Sequence, residues 1–424
     1  MKNKVLQILY DLRHQPVISG VTLIGTALTI FLIMVVVMIQ QIPVLPFAPE
    51  SNRPRLLIGC YIHLENLNED GIRCAGLSFN AAKKLYENLE GVSDISYFQQ
   101  YTEKEDVKGP TGKLFIVNGR KADADFFKIF NHTLVKGRFY TREEADAMEN
   151  VAVVAETTAY RLFGDSDPLG ETFQYGFKPY RVIGVIKDNS TLATFGSGDV
   201  FIPTSQNDGD MSWEEYRGNA SVALLAEPGV DFGSIRAQVK ARYAALSTEL
   251  EESGWEAIYH EQPYDIETVS FALTSGNGTP DMESIKKSRY IIFIILLLVP
   301  AINLSSMLHS RMRRRISEIG VRRAFGCTRA RIILDIISEN FIITLAGGIV
   351  GLLIGIIVGV NYVGIYDTMQ NIGNGGAPAL SLMFNWSILL TALVVCFLLN
   401  IISAAVPAWQ ASRVNVVDAI NTNK

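Results

Sequence analysis

The chain has 424 residues, 48% of them hydrophobic, and a mean hydropathy of +0.20, which is too apolar for an ordinary soluble protein and too polar for one buried throughout in lipid. Its formal net charge of -5 hides a division, because residues 40–285 carry about -15 while arginine concentrates at 311–331. The acidic middle excludes nucleic acid as its partner, since phosphate binding needs a basic surface, and four cysteines are too few for a disulfide scaffold.

Residues 1–16 place Lys2, Lys4, Arg13 and His14 beside Val5, Leu6, Ile8, Leu9 and Leu12, the pattern of a basic amphipathic helix lying on a membrane surface. Four apolar runs are long enough to cross a bilayer as helices, at 17–39, 289–308, 334–361 and 386–407. The first is long for a signal peptide and lacks a small-x-small cleavage pattern, so it reads as a retained span. The expected fold class is therefore an α-helical membrane protein with four transmembrane helices and a large α+β extracytoplasmic domain, 40–288, inserted between the first and second.

Pro43, Pro46, Pro49 and Pro54 mark the linker into that domain. Leu56–Leu64 then reads as a strand, Asn80–Leu89 as a helix and Val92–Gln100 as a second strand. A further layer is expected over about 113–213. It begins with a strand at Lys113–Asn118, a helix at Ala124–Phe130 and a segment closed by Gly137. The next stretch is more telling: a buried strand Val151–Ala155, a helix Thr157–Phe163 stopped by Gly164, a turn over Asp165–Gly170, and a hairpin of Glu171–Tyr175 with Tyr180–Ile186. Strands at Ser221–Ala226 and Trp255–Tyr259 flank a helix over Asp231–Glu252, returning the chain to its first layer. Cys60 and Cys74 share this domain and either pair in an oxidising compartment or remain two buried thiols.

The stretch Arg311–Arg331 holds eight arginines between two membrane-length runs, which assigns 309–333 to the cytoplasmic side. Within it Ile316, Ile319, Gly320, Arg323 and Ala324 fall at helical spacing, giving a short amphipathic helix over 316–325. The third span carries Gly347, Gly351, Gly355 and Gly359 four residues apart, a ridge that permits close helix packing in lipid. The loop 362–385 contains no Lys or Arg, as expected outside, and the tail 408–424 places Trp409 and Arg413 at the inner boundary.

The run from Glu318 to Gly326, with the return into an apolar span, resembles the coupling loop of MacB/FtsX-type ABC transporter permeases. The closing PAWQASRVNVVDAI is similar to that family's tail, departing at Val416 where proline is usual, and residues 151–189 resemble the MacB-like periplasmic core domain. The resemblance implies that Ser317, Glu318, Ile319, Gly320, Arg322, Arg323 and Ala324 form a helix docking on an ABC ATP-binding subunit, with Ile319 filling that subunit's groove. It further implies a second permease copy or paralogue, a bacterial inner-membrane location, and mechanotransmission to the periplasmic domain. Efflux of a drug, peptide or toxin, with a periplasmic adaptor and outer-membrane channel, is the first expectation. Lipoprotein release, control of a cell-wall hydrolase and ligand sensing are the alternatives.

The chain has no Walker A loop, so ATP and Mg are expected on the partner and no cofactor on this chain. The five histidines make no HExxH or other metal-ligand spacing, and no nucleophile, base or metal constellation marks an enzyme. Membrane lipid is the remaining expected partner.

Overall fold

The computed structural model describes residues 46–272 apart from 69, 111, 190–192, 206, 207, 210 and 213, together with 280–295, 316–369 and scattered positions in the apolar runs. The chain divides into two compact units, one formed by residues 43–282 with 362–382 and the other by 1–42, 283–361 and 383–424.

The larger unit has two lobes. In the first, β1 (Leu56–Gly59) lies between β13 (Ala220–Ala226) and the two-residue β15 (Tyr264–Asp265), and β13 pairs along its other edge with β4 (Val92–Gln99). Both faces of this sheet are covered, which is why LLIG and ASVALLA are apolar throughout except for the buried Ser221. Leu57, Val222 and Leu224 pack toward α1 (Phe79–Tyr86) and α5 (Phe232–Glu251), whereas Leu56, Ile58, Ala223 and Leu225 pack on the opposite side. Helix α5 supplies its side of that core through Ile235, Val239, Tyr243, Leu246 and Leu250, one stripe at three- and four-residue spacing. Ser78 caps α1, its hydroxyl accepting from the Ala81 amide at 3.0 Å. β2 (Ile62–Asn66), β3 (Ile72–Leu77) and β14 (Trp255–Ala257) extend the lobe as an antiparallel set.

The strand expected over Leu56–Leu64 is broken at Cys60 and Tyr61, because a side chain replaces the strand neighbour there. The Gln262 amide oxygen accepts from the Cys60 and Tyr61 amides at 2.9 and 3.3 Å, and its nitrogen donates to the Tyr61 carbonyl at 2.8 Å. The cysteines are both free thiols. Cys74 lies opposite His63 in the β2–β3 ladder, and Cys60 precedes that ladder. Of the two alternatives the sequence left open for Cys60 and Cys74, the structure has the unpaired one.

The second lobe is a closed ring of six strands. β6 (Leu114–Ala122) pairs with β5 (Glu103–Lys108), β5 with β9 (Thr172–Tyr175), β9 with β10 (Lys178–Ile186), β10 with β8 (Val151–Ala155), β8 with β11 (Val200–Pro203), and β11 returns to β6. The β10–β8 and β11–β6 pairs are parallel and the others antiparallel. Closure removes the sheet edges. The filling comes from Val107, Val117, Val154, Phe173, Tyr175, Val182, Val185 and Ile202, with Leu162 and Phe163 of α4 (Glu156–Phe163) packed into the same cluster. A methyl group at Gly119 would lie 1.6 Å from the Tyr175 hydroxyl, so glycine is required by the ring that fills the barrel. The barrel starts at Glu103, ahead of Lys113 where the sequence places this layer.

Between the lobes lies an aromatic cluster. Phe126 and Phe130 of the α2 region (Phe126–Ile129) have centroids 4.4 Å apart, and Phe98, Phe127 and Phe201 pack around them. Arg120 passes beside this cluster, fully buried, and donates to the Ser197, Gln99 and Thr194 carbonyls at 2.8, 2.8 and 3.1 Å.

Helix α7 (Ile316–Ala324) lies in the other unit and precedes the 41-residue α8 (Arg329–Met369), whose residues up to 361 belong to that unit. Helix α8 contains the run expected at 334–361 and continues past it to Met369, through a stretch with no proline to stop it. The runs expected at 17–39, 289–308 and 386–407, the amphipathic helix 1–16 and the tail 408–424 fall largely outside the described residues. Taken over the described side chains alone, no helix is long and apolar enough to cross a membrane.

Candidate functional site

The arginine-rich stretch folds as a corner between α7 and α8, and hydrogen bonds within the chain fix its backbone. The Cys327 amide donates to the Arg322 carbonyl at 3.1 Å and the Gly326 amide to the Arg323 carbonyl at 3.0 Å. Gly326 has φ +90°. These are the two bonds and the left-handed residue of a Schellman helix end. Thr328 then opens α8, its hydroxyl accepting from the Arg331 amide at 3.4 Å and its carbonyl from the Ile332 amide at 3.2 Å.

A small apolar clamp closes the inside of the corner. Ile319, 8% exposed, packs with Ile332, 4% exposed, and Cys327 and Ile333 flank them. Its side chain is thus turned onto α8 within its own chain, where the sequence reading had it filling a partner's groove. Gly320 is buried on the same side. The outside carries Val321, 45% exposed, and Phe325, 88% exposed, four residues apart and so on one face. Arg322, Ala324 and Arg331 are exposed and Arg323 is half-buried. Ser317 and Glu318 are helical, and their side chains fall outside the described residues.

The sequence missed Phe325 as the most exposed apolar side chain of this corner. The available signal was its place next to Gly326, where a helix ends and a side chain is displayed at the apex.

In α8, Gly347, Gly351 and Gly355 are buried at four-residue spacing, whereas Leu345, Ile349, Leu353 and Ile357, also four apart, are exposed. Gly359 is helical, and its surroundings fall outside the described residues. One glycine row is thus covered while a row of large apolar side chains faces outward.

The globular unit offers a cavity of about 410 Å³ where α1 and β4 meet the turn before α2 and the short α3 (Arg142–Asp146). Two of its lining carboxylates are engaged. Asp123 accepts from the Ser96 hydroxyl at 2.7 Å and from the Tyr97 and Phe126 amides at 2.7 and 3.0 Å, and Asp125 is held by Lys128 and Arg142. Groups so committed position backbone rather than perform chemistry. His63 and His260 form a second buried polar pair, with ring nitrogens 2.8 Å apart. Among the described residues no cluster of three or more His, Cys, Asp or Glu could hold a metal ion.

Comparison with known proteins assigns both parts of the chain. The family model of the MacB-like periplasmic core domain matches residues 19–242, and that of the FtsX-like permease C-terminal matches 290–416. The chain is 26% identical over 290 residues to the ABC transporter permease YknZ of Bacillus subtilis, covering 67% of this chain and 64% of that one. It is 22% identical over 301 residues to the macrolide export ATP-binding/permease protein MacB of Vibrio parahaemolyticus, covering 70% and 41%. To the pyoverdine export ATP-binding/permease protein PvdT of Pseudomonas putida it is 23% identical over 321 residues, covering 74% and 44%. The chain thus spans between 41% and 64% of the length of these relatives. Two matched models in tandem, the first over more than half the chain, place it in the family of MacB/FtsX-type ABC transporter permeases.

Proposed function

We propose that this permease is the membrane subunit of an inner-membrane ABC export system, driven by an ATP-binding protein that docks on the α7–α8 corner. The observation that carries the reading is the corner itself: a basic helix end with its backbone hydrogen-bonded internally, immediately ahead of a 41-residue helix. A rigid corner of this kind passes a push on α7 into α8 without first having to order a loop.

Four spans, with 309–333 in the cytoplasm and the two-lobed unit outside, follow the arginine distribution. The exposed row Leu345, Ile349, Leu353 and Ile357 suits lipid, and the buried glycines suit a neighbouring helix. ATP and Mg belong to the partner, and nucleotide-driven closure there reshapes the outer lobes. Macrolide and pyoverdine export, named for two relatives, favour a small secreted molecule as cargo, with a second permease copy completing the path and an adaptor and outer channel carrying it onward.

The test is affinity purification of the tagged full-length chain from its own membranes in mild detergent, followed by an ATP-hydrolysis assay. The expected result is an ATP-binding polypeptide in stoichiometric amount whose turnover changes on association. An intact chain that brings down no such polypeptide overturns the reading in favour of a ligand sensor.

A further inference from the structure

Phe325 is a bulky ring left in the open by a corner that is otherwise finished. The Schellman bonds, the Thr328 cap and the Ile319–Ile332 clamp are all made within the chain, and none of them uses Phe325. Val321 lies one turn behind it on the same face, and Arg322 and Arg331 are exposed nearby.

We propose that Phe325, backed by Val321, is the anchor that inserts into the ATP-binding subunit, and that Ile319 is an internal staple which never touches it. The proposal rests on the docking reading above and fixes which face of α7 docks. The matching site on the partner is an apolar cup of aromatic size with carboxylates at its rim, complementary to the arginines. The occupant is a protein because the ring is presented on a fixed backbone, which benefits a shaped cup, whereas a fluid headgroup layer gains nothing from it. The MacB and PvdT relatives are named ATP-binding/permease proteins, so an ATP-binding portion is the occupant that their names supply for a basic, aromatic-tipped corner of this kind. An aromatic side chain at the centre of a small interface commonly dominates its energetics.

The experiment uses the tagged full-length chain in its native membranes, with the captured polypeptide identified by mass spectrometry as carrying a phosphate-binding P-loop. Phe325→Ser is compared with Ile319→Ala at matched membrane levels. A photo-crosslinking phenylalanine analogue is placed in turn at positions 325 and 319. The proposal expects Phe325→Ser to lower the retained ATP-binding polypeptide about tenfold or more, and an adduct with that polypeptide from position 325 but not from 319. Retention within about twofold in Phe325→Ser, or an adduct from 319 alone, overturns this inference and leaves the permease reading standing. Adducts from 325 to lipid only overturn it in favour of a membrane contact. Because the crosslinking analogue preserves the aromatic ring, its result does not depend on how well the serine variant folds. Failure of the unmodified chain to capture any ATP-binding polypeptide overturns both readings together.

Discussion

Arg120 shows how a charge is tolerated in this core. The residue is 1% exposed and reaches no carboxylate within ion-pair distance among the described residues, yet its guanidinium donates to three backbone carbonyls from β4 and the 193–198 loop. Replacing it with leucine removes the donor to all three carbonyls, of which the Gln99 one lies in a buried bond, a loss of about 1–3 kcal/mol. Chemical unfolding of the purified full-length chain, followed by tryptophan fluorescence, is expected to show that loss for Arg120→Leu. A midpoint equal to wild type would mean that the loop does not need the cation.

His132 is a case with the opposite response to pH. Burial pulls its pKa from 6.5 down to about 3, with the Asn189 hydrogen bond opposing and Arg120 adding to the fall. The folded state therefore binds fewer protons at this ring than the unfolded chain does. The stability it contributes is fully present above about pH 6.5 and is lost as pH falls toward 3, at no more than about 1.4 kcal/mol per pH unit. His132→Gln cannot take up that proton, so its stability is expected to fall less steeply than wild type between pH 6.5 and 5. Parallel slopes for the two proteins would contradict this.

At the scale of elements, the barrel closes around residues that must be small in one place and large in the next. Gly119→Ala sets a methyl group against the Tyr175 ring, whose three nearest atoms lie within 2.8 Å of the added carbon. Overpacking of this kind costs about 1–3 kcal/mol. The variant is expected to melt earlier, and combining it with Tyr175→Leu should cost less than the two single changes added together. Strict additivity would place the strain elsewhere.

The elements most legible in the sequence were those with both a burial pattern and a stop. VAVVA followed by a helix ending at Gly164 is one, whereas the helix expected at Asn80–Leu89, with no stop to mark its end, is found at Phe79–Tyr86. Strand β5, EKEDVK, was illegible because only Val107 turns into the barrel and the other side chains of that strand are charged. The Gln262 clamp was equally hidden, since nothing in a lone amide shows that it will take three backbone groups some two hundred residues away. Helix α7 was visible through its spacing, but its inward face was not. Ile316, Ile319 and Val321 define no single stripe, and the partner that decides the matter, Ile332, belongs to the next helix.

For the whole molecule, the four-span arrangement predicts two sides that thiol chemistry can tell apart. In a chain otherwise free of cysteine, Ser381→Cys in the loop 362–385 is expected to react with an impermeant maleimide on intact cells. With Cys327 kept as the sole cysteine, labelling should require permeabilisation. Labelling of both from outside would break the topology, whatever the fate of the docking corner.

The pairing of β1 with β15 also bears on how a load enters the two-lobed unit. Leu57 lies opposite Asp265, so the strand that follows the proline linker and the strand that precedes α6 (Ile266–Ala272) expose their tethered ends on the same side of one antiparallel pair. In mechanical terms this is a two-point mount. A displacement shared by both tethers carries the unit as a rigid body, because nothing in the pair is sheared. A displacement of one tether against the other falls on two ladder positions, the Gln262 amide and the Tyr61–Tyr264 hydroxyl contact of 3.0 Å. The mount is thus stiff to motion common to its two tethers and compliant to motion of one against the other.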